Sequence, residues 1–129
     1  MKTKIAILKI FLIVLMLTSC VQKEHLKEVT FEVDMNETTH NNQVGLKGEF
    51  TSPPWSEVVP MEDNNGDGIF EVTLSQKTAQ NSVEFKFVNN GEEIELNGQP
   101  NRRIRFEYKP ERITYSGIFN KENGKQIIN

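Results

Sequence analysis

Six residues in the middle of the chain have the types and spacing of metal chemistry. Asp63-Asn64-Asn65-Gly66-Asp67-Gly68 reproduces the opening half of a calcium loop, D-x-N-x-D-G. Oxygen-bearing side chains at alternate positions, here Asp63, Asn65 and Asp67, are the hard ligands that calcium prefers. The second half of the loop is missing. With Asp63 as the first position the twelfth is Leu74, where a bidentate Glu is needed, and the residues after Gly68 alternate with a period of two. The same hexapeptide suits a tight connection between strands, with glycines for positive φ and Asp and Asn folding back on the backbone. A turn is the expected role, and Asp63, Asn65 and Asp67 are kept as a weak calcium candidate.

Other reactive types are sparse. His25 and His40 stand in polar segments, without a cysteine nucleophile or a metal-ligand spacing nearby. The carboxylates of "EDNNGD" and "GEEIE" read as solvated turns, and no Gly-rich phosphate loop opens a helix. No enzyme and no cofactor is therefore expected. The one cysteine, Cys20, closes the segment "MKTKIAILKIFLIVLMLTSC". Lys2 and Lys4 give it a basic start, the run from Ile10 to Leu17 is apolar, and small residues follow, which is the anatomy of an export signal. Its ending, Leu17-Thr18-Ser19-Cys20, resembles the lipobox of bacterial lipoproteins. That resemblance implies cleavage after residue 19, acylation of Cys20 and a place in the bacterial cell envelope, with the outer membrane the expected one.

Loss of Lys2, Lys4 and Lys9 with the leader takes the formal charge from −3 to −6. This argues against nucleic acid and anionic membrane surfaces as partners. Residues 20–27 read as a polar tether, residues 28–117 as one domain, and residues 118–129 as a tail or an extra hairpin around Asn123-Gly124. Within the domain Val29, Phe31, Val33 and Met35 alternate with polar residues. So do Val44, Leu46 and Phe50 (Gly48 taking an inward slot), then Phe70, Val72 and Leu74, then Val83, Phe85 and Phe87. Ile94 with Leu96, and Ile104 with Phe106 and Tyr108, continue the series, and "RITYS" supplies a last strand. No helical stripe of useful length is present. About seven short strands at regular spacing predict an all-β, antiparallel β-sandwich.

Five pieces occur in the order of a known pattern: Gly48-Glu49-Phe50, a loop with Trp55, Pro60-Met61 before the acidic turn, Phe85-Lys86-Phe87, and Pro100-Asn101-Arg102. Over residues 28 to 108 the chain resembles the early-set immunoglobulin-like starch- and glycogen-binding modules, as found in amylases and in the β subunit of the AMP-activated kinase. The resemblance implies an immunoglobulin-like sandwich and non-catalytic binding of an α-glucan. It implies Trp55 as the stacking platform, with Lys86 and Asn101 as polar partners. On its own residues Trp55 is either a platform or a core tryptophan, and the polar, proline-stiffened "TSPPWSE" favours the platform. Lys86 reads equally as a solvated lysine on an outer sheet face, and Asn101 as a turn residue. Starch-binding relatives carry a second Trp shortly before Pro-Asn-Arg, whereas "GEEIELNGQPNRR" has no aromatic residue. The alternative is an immunoglobulin-like module that holds a protein of an envelope complex, its sugar site lost. An exposed Trp55 beside polar groups would favour the glycan, and a buried one with an apolar patch elsewhere the protein.

Overall fold

The computed structural model describes residues 2–7 and 20–129. Of the expected leader only residues 2–7, helical and exposed, are among them, so the apolar run and the lipobox residues before Cys20 lie outside the described residues. Among the described residues no helix is long and apolar enough to cross a membrane.

Among the described residues there are nine strands: β1 (His25–Asp34), β2 (Gly45–Gly48), β3 (Val59–Pro60), β4 (Ile69–Thr78), β5 (Ser82–Asn89), β6 (Glu93–Ile94), β7 (Arg102–Arg105), β8 (Glu111–Ile118) and β9 (Gly124–Ile128). They form an immunoglobulin-like β-sandwich. One sheet has the order β4-β1-β8-β9, and the other β3-β2-β5, with β6 and β7 sharing the far side of β5. The alternating apolar residues fill the space between the sheets. Phe31, Val33, Met35, Leu46, Phe85, Phe87 and Ile104 are all buried. Each such side chain contributes about 1.5–3 kcal/mol on leaving water. Phe85 is the hub, meeting Phe31, Phe87 and Tyr115 edge-on at centroid distances of 4.9, 5.6 and 5.0 Å. Gly48 fills its inward slot for want of space, because a Cβ there would stand 2.6 Å from the Glu84 carbonyl oxygen and from the Phe50 ring.

The pairing differs from a purely antiparallel sandwich in one place. β1 and β8 run parallel, with Val29 opposite Ile113 and Phe31 opposite Tyr115. The segment expected as tether is also shorter, because β1 begins at His25. Lys27 points inward, and its ammonium donates to Glu111 Oε1 at 2.6 Å, to the Glu107 carbonyl at 2.6 Å and to the Lys109 carbonyl. Residues 124–128 form a true strand on β8, but the turn sits earlier than Asn123-Gly124, at Phe119-Asn120, where Asn120 has φ 63°. Gly124 instead makes room for Tyr115, whose hydroxyl would lie 1.8 Å from an added Cβ. Two expected inward residues turn out exposed. Ile94 yields its place to Glu95, and Tyr108 is carried outward because β7 ends at Arg105.

Glu95 is the counter-ion of Arg102, and both side chains are buried. Arg102 donates Nε to Glu95 Oε1 at 2.5 Å and Nη2 to Oε2 at 2.9 Å, a bidentate pair. The remaining carboxylate capacity takes the Phe87 and Asn120 backbone N–H groups. Arg102 also reaches the Ile118 and Lys121 carbonyls and lies over the Phe87 ring at 5.1 Å. Further along the same side, the Gln126 amide donates to the Arg105 carbonyl and accepts from the Arg105 N–H, so a side chain stands in for a strand at the edge of β7.

Removing one partner of such a pair leaves a buried charge uncompensated. Arg102→Ala is expected to cost about 3–5 kcal/mol, a large share of the 5–15 kcal/mol typical of a domain. Replacing both charges, as Arg102→Met with Glu95→Leu, should cost less than the single change. Urea denaturation of the three chains measures both differences.

Candidate functional site

Trp55 belongs to the long connection between β2 and β3. The connection folds back on itself: Trp55 N–H donates to the Gly48 carbonyl at 2.7 Å, and the Thr51 and Ser56 hydroxyls both donate to the Pro53 carbonyl. Trp55 has φ 62°. A bulky residue in that left-handed region costs about 1–3 kcal/mol and persists only where the surroundings enforce it. Trp55 is half-buried there. It borders a shallow cleft of 580 Å³, whose other walls are Glu49, Pro54, Gln80, Asn81 and Ser82. That volume lies within the range of small-ligand sites, roughly 300–1,000 Å³. The cleft offers one aromatic face, a carboxylate, two amides and a hydroxyl.

Lys86 is not part of that surface. It is buried, and its ammonium donates to the Leu96 and Gln99 carbonyls at 2.9 Å each. The lysine thereby closes the turn between β6 and β7, where Leu96 and Gly98 have positive φ. Its place as a polar sugar partner is corrected to a structural one. Two buried hydrogen bonds to carbonyls would have to break before it met a ligand.

Asn101 is exposed, and its amide donates to Glu84 Oε2 at 3.1 Å. Glu84 Oε1 accepts from Arg103. The Arg103 hydrogen bond, followed by that of Asn101, holds the Glu84 carboxyl below its ordinary value. Glu84 also connects this group to the Trp55 cleft, since its backbone N–H donates to Glu49 Oε2 at 3.0 Å. Trp55 and Asn101 thus flank one polar row, Glu49–Glu84–Arg103, across the outer face of β5.

The Asp63–Gly68 hexapeptide is a turn held by its own side chains. Asp63 accepts the Gly66 N–H through Oδ1 and the Gly68 N–H through Oδ2, both at 2.9 Å. Asp67 Oδ1 accepts the Ile69 N–H, and Asn65 Oδ1 the Asp67 N–H. Gly68 has φ 82°, and an added Cβ would lie 2.2 Å from Asn36 Oδ1. Asp63 and Asn65 spend side-chain oxygens on backbone N–H groups, and Asp67 divides its own between the Ile69 N–H and the Asn65 amide. Among the described residues no group of three or more His, Cys, Asp or Glu side chains is placed to hold a metal ion. The histidines pack against aromatic rings, His25 on Tyr108 at 4.6 Å and His40 on Phe70 at 5.2 Å. Cys20 is exposed with a free thiol.

The sequence reading missed Glu49, Gln80, Asn81 and Ser82. "TAQNS" is legible as a polar turn between strands, but only the antiparallel pairing of β2 with β5 brings it beside Trp55. No protein-family model matches the chain, and no curated protein matches it.

Two outcomes test these roles. Asp63→Ala frees two backbone donors and should cost about 1–3 kcal/mol, with the thermal midpoint of the parent unmoved by added calcium. Glu84 has a depressed folded-state pKa, so its contribution is complete above the ordinary 4.5 and is lost as pH falls through the lower folded value. Glu84→Gln should flatten that acid limb in a pH series of thermal midpoints. The effect should be small, because the pair is solvent-exposed.

Proposed function

We propose that this chain is a non-catalytic glycan-binding module of a lipoprotein, acylated at Cys20 and held in the bacterial envelope, most simply at the outer membrane. The observation that carries the reading is the half-buried Trp55, set at a strained φ at the edge of a cleft with Glu49, Gln80, Asn81 and Ser82. An indole face stacks on the C–H face of a pyranose, and amides, a hydroxyl and a carboxylate are the groups that meet sugar hydroxyls. The resemblance of residues 28 to 108 to starch- and glycogen-binding modules supports an α-glucan as the glycan. Asn101 and the Glu84–Arg103 pair extend the polar surface for a longer chain.

One aromatic platform sets the scale of affinity. A stacking contact is worth about 0.5–1.5 kcal/mol beyond its buried area, so a site without a second ring belongs near the millimolar range, about −4 kcal/mol. Many anchored copies facing one polymer would multiply that by avidity.

The second reading, a module that holds an envelope protein, draws on a different surface. Ile69 and Ile118 flank Asp34 on the outer face of the β4-β1-β8-β9 sheet, at the edge of an open groove of 490 Å³. Calorimetric titration of residues 21 to 129 with a long malto-oligosaccharide separates the two. Heat that saturates at millimolar ligand and disappears in Trp55→Ala, with Lys86→Met failing on stability rather than on binding alone, is the expected result. No heat at millimolar ligand would remove the glucan and leave the protein-binding reading.

A further inference from the structure

The strand directions put the chain's anchor and its candidate site at the same end of the sandwich. β1 starts at His25 opposite Thr78, the last residue of β4. The β4–β5 turn with Gln80 and Asn81, the β2–β3 connection with Trp55 and the β7–β8 loop with Tyr108 all lie at that end. Phe106 N–H bonds to the Asn81 carbonyl, and the Trp55 cleft includes Asn81.

The link from Cys20 to this end is short. Lys23 N–H donates to the Tyr108 hydroxyl at 2.8 Å, and the His25 ring packs edge-on against the Tyr108 ring. The chain is therefore tied down from Lys23 onward. Two residues, Val21 and Gln22, separate Cys20 from that point, three steps along the chain with a reach of about 10 Å when fully extended. The headgroup layer of one leaflet takes up roughly 5–7 Å. An acylated Cys20 thus leaves only a few ångströms between Tyr108 and the lipid surface.

The composition of this end fits such a place. Tyr108 is 64% exposed, with Leu26 at 46% and Val21 at 87% beside the tether. A tyrosine with a free face and a polar tip is the side chain that membrane interfaces collect. The charges there are mixed, Lys23, Lys77, Lys109 and Arg112 against Glu24, Glu28, Glu57 and Glu107. Contact would then be driven by the anchor and the amphipathic ring rather than by net charge.

We propose that the tether end of the sandwich rests on the bilayer holding the acyl chains of Cys20, with Tyr108 at headgroup depth and the Trp55 cleft opening beside the lipid surface. This rests on the acylation of Cys20 in the proposed function and adds an orientation to it: a bound glycan chain runs along the membrane instead of projecting from it. The far end, with the Asp63–Gly68 turn, stands away by the length of β1, about 30 Å for ten residues.

The test uses the acylated full chain in vesicles of phosphatidylethanolamine and phosphatidylglycerol carrying bromine near the top of their acyl chains. Trp55 is the sole tryptophan, so Trp55→Phe gives a dark background. Tyr108→Trp in that background is expected to lose most of its emission to the brominated lipid, and Asn64→Trp, at the far end, to keep it. Lys109→Trp is a second reporter in the same loop, since the Lys109 side chain makes an exposed pair with Glu107 and the bond from Lys27 goes to the Lys109 backbone carbonyl, which the substitution keeps. Full emission from positions 108 and 109, or equal quenching at 64, overturns the orientation. So does a purified chain whose mass shows Cys20 unmodified. Sugar binding by the soluble domain is measured without a bilayer, so failure here leaves the glucan titration intact, and failure there leaves the orientation.

Discussion

The buried pair of Arg102 and Glu95 is the constraint on which one whole side of the sandwich depends. Neither sheet closes on itself, and the gap between β6–β7 and β8–β9 has no backbone ladder across it. The guanidinium spans that gap, tied to Glu95 on one side and to the Ile118 and Lys121 carbonyls on the other. Burying two charges gains little net stability over an apolar pair. What the pair supplies is direction, because a bidentate salt bridge tolerates one arrangement where packed leucines tolerate several.

Other oddities follow from that choice. To aim Glu95 inward the chain turns Ile94 out and bends sharply, with Leu96 at φ 51°. The bend leaves the Leu96 and Gln99 carbonyls without a strand partner, and Lys86 is buried to satisfy them. A lysine that alternation places on an outer face is thereby drawn under the next turn. Lys27 repeats the device at the tether end, gathering the Glu107 and Lys109 carbonyls and the Glu111 carboxylate.

This explains what was legible in the sequence. Strands such as β1 and β4, whose faces differ in polarity, announce themselves through a period of two, and their register follows. In "EEIEL" the alternation breaks, with Ile94 facing out while Glu95 and Leu96 are both buried, and a charged residue defaults to the surface in any reading by type. Only its partner reverses that assignment. Arg102 is seven positions on in the chain but on another strand, and a single sequence does not pair them. The parallel contact of β1 with β8 was hidden for a like reason, since Glu28 and Arg112 are brought opposite each other from distant parts of the chain. The Asp63–Gly68 turn was legible because its chemistry is local. Carboxylate oxygens that would surround a cation serve as well to collect backbone N–H groups, and the missing twelfth ligand separates the two uses.

The candidate site was half legible because it is half local. Trp55 reads as an exposed aromatic from its own loop, but its polar neighbours come from the β4–β5 turn and from Glu49. Their convergence is a property of topology. With β4 antiparallel to β1 and β2 antiparallel to β5, the end of β2, the end of β4 and the start of β1 must share one end of the sandwich. A site built from the β2–β3 and β4–β5 connections is therefore next to whatever precedes β1. The strain at Trp55 is supported where the scaffold is stiffest, by the Gly48 carbonyl at the end of a strand whose next residues are locked to β5. Moving the aromatic to the opposite end would free it from the tether. It would also place it among the Asx-stabilised turns, whose side chains are already committed to their own backbone.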